Sequence, residues 1–453
     1  MRRIVCVAAG LLTGPMLLAG QAPPAEAIAP DSALMSVTYQ HLLKEISAIP
    51  IYDNHSHPGY ADDANVDAMA APPNMSTSLR LRGDNPELVT ASRELFGYPY
   101  KDATPEHLQW LVKRKAELRS GAKGTKYFDS ILDKLNIEQA LANRPVMAPY
   151  LNEKRFHWVF FTDSVLFPFD NSAIIARNGD LATYIPLQEL KLKRELAQQN
   201  GGALPAAFDD YLTFITRLLE DNQKHGGVAI KFEIAYFRPM HFDDPPRERA
   251  AEVYTKYHAG GVPAGRDYTD FQDYVFRYLI REAGRLHLPV HIHTAVGIGD
   301  FFSLSDDNVL QLENILRDPR YDATTFVLLH GGYPFHDQAI WLAARRNVYL
   351  DTSLMELYLY PAEFKQVLRR WLLLFPDKVV FGSDAFPFND AVGAEESYWL
   401  AVRSVRTALA AALAEMVASH EVTEDKAVAF AHAYLHDTAA ALYAEHTAAH
   451  IQN

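Results

Sequence analysis

From residue 155 onward, short apolar segments alternate with amphipathic stretches of helical period, and this alternation limits the fold more than any other feature. The apolar segments are Phe156–Thr162, Val228–Ala235, Leu288–Thr294, Thr325–His330, Val348–Asp351 and Val379–Ser383. Between them lie helical patterns such as Tyr268–Arg285, Asn308–Leu316 and Pro361–Phe375. Strands that alternate with helices form βα units and a parallel sheet. Adding Ile49-Pro50-Ile51-Tyr52-Asp53 and a weaker run near Ile137–Ala142 brings the count of strands to eight. Eight strands favour a closed (β/α)8 TIM barrel over an open doubly wound sheet. No Gly-x-Gly-x-x-Gly turn follows the first strand, which also argues against a dinucleotide fold.

In such a barrel the active site forms at the C-terminal strand ends. Strand one ends in His55-Ser56-His57, strand five in His291-Ile292-His293-Thr294, strand six in His330-Gly331-Gly332 and strand eight in Gly382-Ser383-Asp384. Residues two apart on a strand face the same side, so His55 and His57 aim at one point while Ser56 turns away. Neutral imidazoles suit a divalent metal, most simply Zn²⁺, with Mn²⁺ as the other candidate. His293 is the better ligand candidate of its pair because it lies nearer the active end; His291 reads as a hydrogen-bonded barrel residue. Asp384 suits both metal ligation and proton shuttling, and His330 suits stabilisation of a developing oxyanion.

Lys231, in strand four, admits three readings: a carboxylated bridge between two metal ions, a cationic contact for a substrate carboxylate, or an ion pair with Glu233. Arg238 and Tyr236, just beyond the strand, are candidate substrate contacts, with a solvated surface role as the alternative for Arg238.

Before the regular pattern, residues 31–49 read as a helix. Residues 60–142 form a mostly helical insertion, with Thr104 and Pro105 starting one helix that stops near Gly121. That stretch far exceeds an ordinary βα connection of about 2–6 residues and reads as a cap. The C-terminal stretch 391–447 is an Ala-rich helical tail. Residues 1–27 have the layout of a signal peptide: Arg2 and Arg3, an apolar run from Ile4 to Ala19, then small residues ending at Ala25-Glu26-Ala27. An uncleaved anchor helix is the alternative, and cleavage after Ala22 or after Ala27 fits. The expected location is periplasmic or secreted, with no membrane attachment once the leader is removed.

The single cysteine, Cys6, lies in that leader. A mature chain without cysteine excludes thiolate ligands and cysteine nucleophiles. Cleavage removes two positive charges and one negative, taking the formal net charge from −13 to −14. An acidic chain without a basic run is a poor binder of nucleic acid. The expected partner is a small-molecule substrate, and a homo-oligomer is compatible with everything above.

Taken together, His55-Ser56-His57, His293, His330-Gly331-Gly332 and Gly382-Ser383-Asp384 resemble the amidohydrolase superfamily, in its amidohydrolase-related (type 2) branch. The resemblance covers roughly residues 46–445 and includes His436-Asp437-Thr438-Ala439 near the C-terminus. It implies that His55, His57, His293 and Asp384 bind metal and that His330 assists catalysis. Ala229-Ile230-Lys231 and Ala235-Tyr236-Phe237-Arg238 are similar to strand four of such domains fused to glutamine-synthetase-like proteins, and no second domain of that kind is expected here. The long insertion after His57 and the export signal depart from the pattern.

The leading expectation is a hydrolase of an amide, ester or related bond in a small polar substrate, holding one or two divalent ions. The alternatives are a nonoxidative decarboxylase of a small aromatic or enoic acid and an inactive barrel that serves as a binding module. Export favours hydrolysis.

Overall fold

The computed structural model describes residues 32–67, 78–294, 296–297, 301–389 and 391–451. The expected signal peptide, with Cys6, lies outside the described residues.

Eight parallel strands follow one another around the sheet in chain order. They are β1 (Ile51–Ser56), β2 (Ile137–Asn143), β3 (Phe156–Phe161), β4 (Gly227–Phe232), β5 (Val290–His293), β6 (Phe326–Leu329), β7 (Val348–Asp351) and β8 (Val379–Val380). Each predicted strand is present. The ring closes between the chain after β8 and β1: Asn54 N–H donates to Phe381 O at 2.9 Å, and Asp384 N–H to His55 O at 2.8 Å. This is the TIM barrel that the alternation implies.

Alternation also fills the barrel. Leu141, Val159, Val327 and Leu329 pack inside with Tyr52, while Phe156, Phe160, Phe326 and Leu328 belong to the core outside the sheet. The interior cluster includes Ala439 and Tyr443, one turn apart on the last helix (Thr438–Ile451). Their i,i+4 spacing puts both on one face, and that face closes the barrel's interior. The Ala-rich tail is therefore part of the barrel core.

The insertion after β1 is helical, with helices Pro86–Phe96, Pro105–Gly121 and Lys126–Leu135. Thr104 stands at the N-cap and Pro105 in the first turn, as expected. Asn85 caps the first of these helices, its side chain accepting from Glu87 N–H. The connection from β2 to β3 contains no helix at all, unlike a regular βα unit. Among the described residues no helix is long and apolar enough to cross a membrane.

Candidate metal centre

The site is built on the β1–β8 seam. Asp53 accepts from Ser383 N–H at 2.8 Å, Ser383 Oγ at 2.6 Å and His55 N–H at 3.2 Å, locking the two strand ends in register. Asn54 reaches Tyr443 within the barrel at 2.5 Å, yet His55 next to it also points inward. The strand register shifts between Asp53 and Ser56, and such an irregularity re-aims a side chain. Ser56 turns away, as predicted, donating to Leu141 O at 2.8 Å.

Three side-chain atoms converge there. His55 Nε2 lies 3.1 Å and His57 Nε2 3.3 Å from Asp384 Oδ1, and the two ring nitrogens are 3.3 Å apart. Ligands about 2.0–2.1 Å from a tetrahedral ion stand about 3.3 Å from one another. The triangle therefore has the size of one face of such a coordination sphere. Burial, then the charge of Lys231, holds the His55 pKa well below the ordinary imidazole range, so its ring is neutral and able to ligate. Burial alone would raise Asp384, but hydrogen bonds from His55 and His57 outweigh it and hold its pKa well below the ordinary carboxylate range. Two imidazoles and a carboxylate at this spacing are a fitting donor set for a divalent cation.

His293 stands beside this triangle instead of in it. Its Nδ1 is 3.0 Å from His330 Nε2, and its Nε2 faces Asp307 at 3.7 Å. His330 is anchored from behind by Ser353, whose Oγ lies 2.9 Å from His330 Nδ1. Burial lowers the His330 pKa to about 4, which keeps that ring neutral too. His330 at φ 60° and Asp384 at φ 49° are both non-glycine residues in the left-handed region. Backbone held there costs of order 1–3 kcal/mol per residue, and the surrounding contacts must impose it. Gly331 shares that conformation, and a Cβ on it would stand 2.1 Å from Trp371, so the residue after His330 has to be glycine.

His291, one layer deeper, shares a 2.7 Å hydrogen bond with the Tyr443 hydroxyl, as expected of a structural residue. Lys231 is buried and lines the pocket over the cluster. Glu233 turns to Asp67, with which it shares a hydrogen bond. Tyr236 lines the pocket and packs on His293 with ring centroids 4.7 Å apart. Arg238 does not reach the cluster: its guanidinium pairs with Asp273 at 2.7 Å beside a neighbouring chamber of about 550 Å³.

Several residues at the site escape sequence reading. Asp67, near the start of the insertion, approaches His57 Nδ1 at 3.5 Å, and nothing in Ala64-Asn65-Val66-Asp67 announces it. Asp307 comes from the β5–β6 connection. Asp163 accepts from Glu233 N–H through both oxygens at 3.0 Å. Asking what strand three ends with would have found it, since Thr162-Asp163 directly follows the apolar run.

A (β/α)8 barrel that gathers two histidines and an aspartate at its C-terminal rim defines a metal-dependent enzyme class. The amidohydrolase family model matches residues 220–444, and the chain belongs to the amidohydrolase superfamily, in its type 2 branch. Protein fluG of Emericella nidulans is 29% identical over 142 residues, 31% of this chain and 15% of that protein, so the chain spans only a small part of this relative. Among solved structures, a protein described as a metal-dependent hydrolase from Lactobacillus casei superposes with a TM-score of 0.55 at 16% identity, covering 89% of this chain and 97% of the other. Uronate isomerase of Thermotoga maritima gives 0.57 at 12% identity, covering 90% and 97%. That of Bacillus halodurans gives 0.55 at 13%, covering 92% and 99%. At these identities the structures share the fold.

Proposed function

We propose that this enzyme is a hydrolase that cleaves an amide, ester or related bond at a divalent-metal centre, with Zn²⁺ as the first candidate. The observation that carries the reading is the triangle of His55, His57 and Asp384, whose edges of 3.1–3.3 Å suit one tetrahedral ion. His293 is the candidate further ligand from β5. A divalent cation bound there would polarise the scissile carbonyl and lower the pKa of a water to about 7.

The chain's own residues supply the rest. Asp384, ionised and fixed by its backbone, accepts the proton of the attacking water and returns it to the leaving group. His330 Nδ1 lies 2.9 Å from Ser353 Oγ and 3.2 Å from the Ser353 carbonyl oxygen, which fixes the ring beside the triangle, and a proton on Nε2 would be donated to the carbonyl oxygen as charge develops. Tyr236, Phe386 and Phe388 wall the pocket and keep bulk water out. Lys231 holds a substrate carboxylate if one ion is bound, and becomes a carboxylated bridge if two are.

The aromatic wall also favours a second reading, the nonoxidative decarboxylation of an aromatic acid. Turnover in H₂¹⁸O separates the two. Solvent ¹⁸O in the product supports hydrolysis, and CO₂ release without it supports decarboxylation. Turnover with neither signature refutes both and points to isomerisation, the chemistry named for two structural neighbours. The apolar leader supports export to the periplasm or medium.

A further inference from the structure

The pocket over the metal triangle has a volume of only about 20 Å³, room for little more than a water. Any substrate larger than its reacting group must extend elsewhere. Two walls of that pocket, Asp67 and Glu233, also line a cavity of about 1090 Å³ outside β3. This cavity exists because the β2–β3 connection lacks a covering helix. It runs from Glu233, just past the end of β4, to Gly226, just before its start, a distance of about 20 Å for a strand of this length. Trp158 and Phe160 form its floor and Leu187 and Leu190 its side. Val146, Leu187 and Leu190 are 54%, 41% and 45% exposed, apolar surface among the described residues. Lys154 and Arg194 stand exposed on the rim, and Lys154 precedes β3 by two residues, at the far end from the metal site.

We infer that the cavity binds the remote arm of the substrate, and that this arm is an extended alkyl or acyl chain carrying an anionic group at its far end. The polar bond to be cleaved sits at the metal triangle, the apolar chain lies along Phe160 and Trp158, and the anion meets Lys154 and Arg194. The inference rests on the proposed hydrolysis only for what happens at the metal end. The binding geometry stands apart from it. Among the described residues the neighbouring 550 Å³ chamber shares only Tyr236 with the metal pocket and is walled by charged pairs such as Arg238–Asp273, which suits a polar leaving group better than a chain.

The test uses the full-length metal-loaded protein and a calorimetric titration with alkyl carboxylates from butanoate to dodecanoate. Affinity is expected to rise about 4-fold for each added methylene, the ordinary worth of a buried CH₂. Leu190→Glu, on an exposed position that folding tolerates, should weaken dodecanoate on the order of 10-fold or more, while Leu310→Glu on a distant exposed site leaves it unchanged. Lys154→Glu with Arg194→Glu should weaken dodecanoate but not dodecanol. Absence of binding, affinity without chain-length dependence, or equal affinity in Leu190→Glu overturns the inference. So does a protein dimer that Leu190→Glu dissolves, because the cavity would then be an interface between copies. Ester hydrolysis without chain preference sinks the cavity but not the hydrolase. Chain-dependent binding without any ester cleavage does the reverse.

Discussion

Gly382→Ala probes how the metal triangle is held, because it adds one methyl group where the barrel closes. A Cβ at Gly382 would stand 2.3 Å from Asp351 Oδ2 and 2.9 Å from Ser353 Cβ. Neither neighbour is free to move. Asp351 accepts from Asn54 Nδ2 at 2.8 Å and from Ser353 N–H at 2.7 Å, and Ser353 holds His330. Overpacking of this kind costs about 1–3 kcal/mol, and a displaced buried hydrogen bond adds about 1–3. We expect a loss of about 2–6 kcal/mol, together with weaker metal binding because Asp384 lies two residues on. Gly83→Ala is the control, since a Cβ there meets nothing within 4 Å. Denaturant unfolding and metal titration of both variants check this. If Gly382→Ala matches the wild type within about 0.5 kcal/mol and keeps full metal affinity, the seam does not hold the site as described.

His330→Ala should leave metal content unchanged and lower kcat about 10²–10³-fold, the usual cost of one oxyanion donor, as steady-state kinetics and elemental analysis will show. Arg238→Ala strands the buried Asp273 carboxylate, so a stability loss of about 3–5 kcal/mol is expected without loss of metal, read by thermal unfolding beside metal analysis. Burial lowers the folded-state pKa of His291 from 6.5 to about 3. The unfolded state therefore takes up its proton first as pH falls, and stability present above pH 6.5 is lost on the way down. Relative to His291→Gln, the wild type should lose about 2 kcal/mol between pH 6.5 and pH 5 in unfolding titrations; a pH-independent difference would mean that His291 titrates in the folded state as it does in the unfolded.

The barrel was legible because its periods are local: each apolar run and the helix beside it report their own structure. His55, His57 and Asp384 were legible for the same reason, each at a strand end that the pattern marks. What stayed hidden depends on contacts across the chain. Asp67 reaches His57 through the irregular turns between residues 58 and 67, and His293 turns to His330 and Asp307, matters of packing that strand periodicity does not encode. Arg238 reads as a substrate contact until Asp273, 35 positions away, is seen to occupy it. The Ala-rich tail reads as an appendage, yet Tyr443 stacks on Tyr52 inside the barrel with centroids 6.0 Å apart. The missing β2–β3 helix shows in the sequence as a short connection, but the cavity it leaves depends on where the helices after β3 pack.

Elemental analysis of the purified protein, beside His55→Ala prepared in the same way, tests the central claim most directly. The account predicts one or two equivalents of a divalent transition metal in the wild type and a loss of both metal and activity in the variant. One equivalent would support Lys231 as a substrate contact, and two its carboxylated form. A wild type that neither retains nor takes up metal, or a His55→Ala protein that is metal-replete and active, would contradict it.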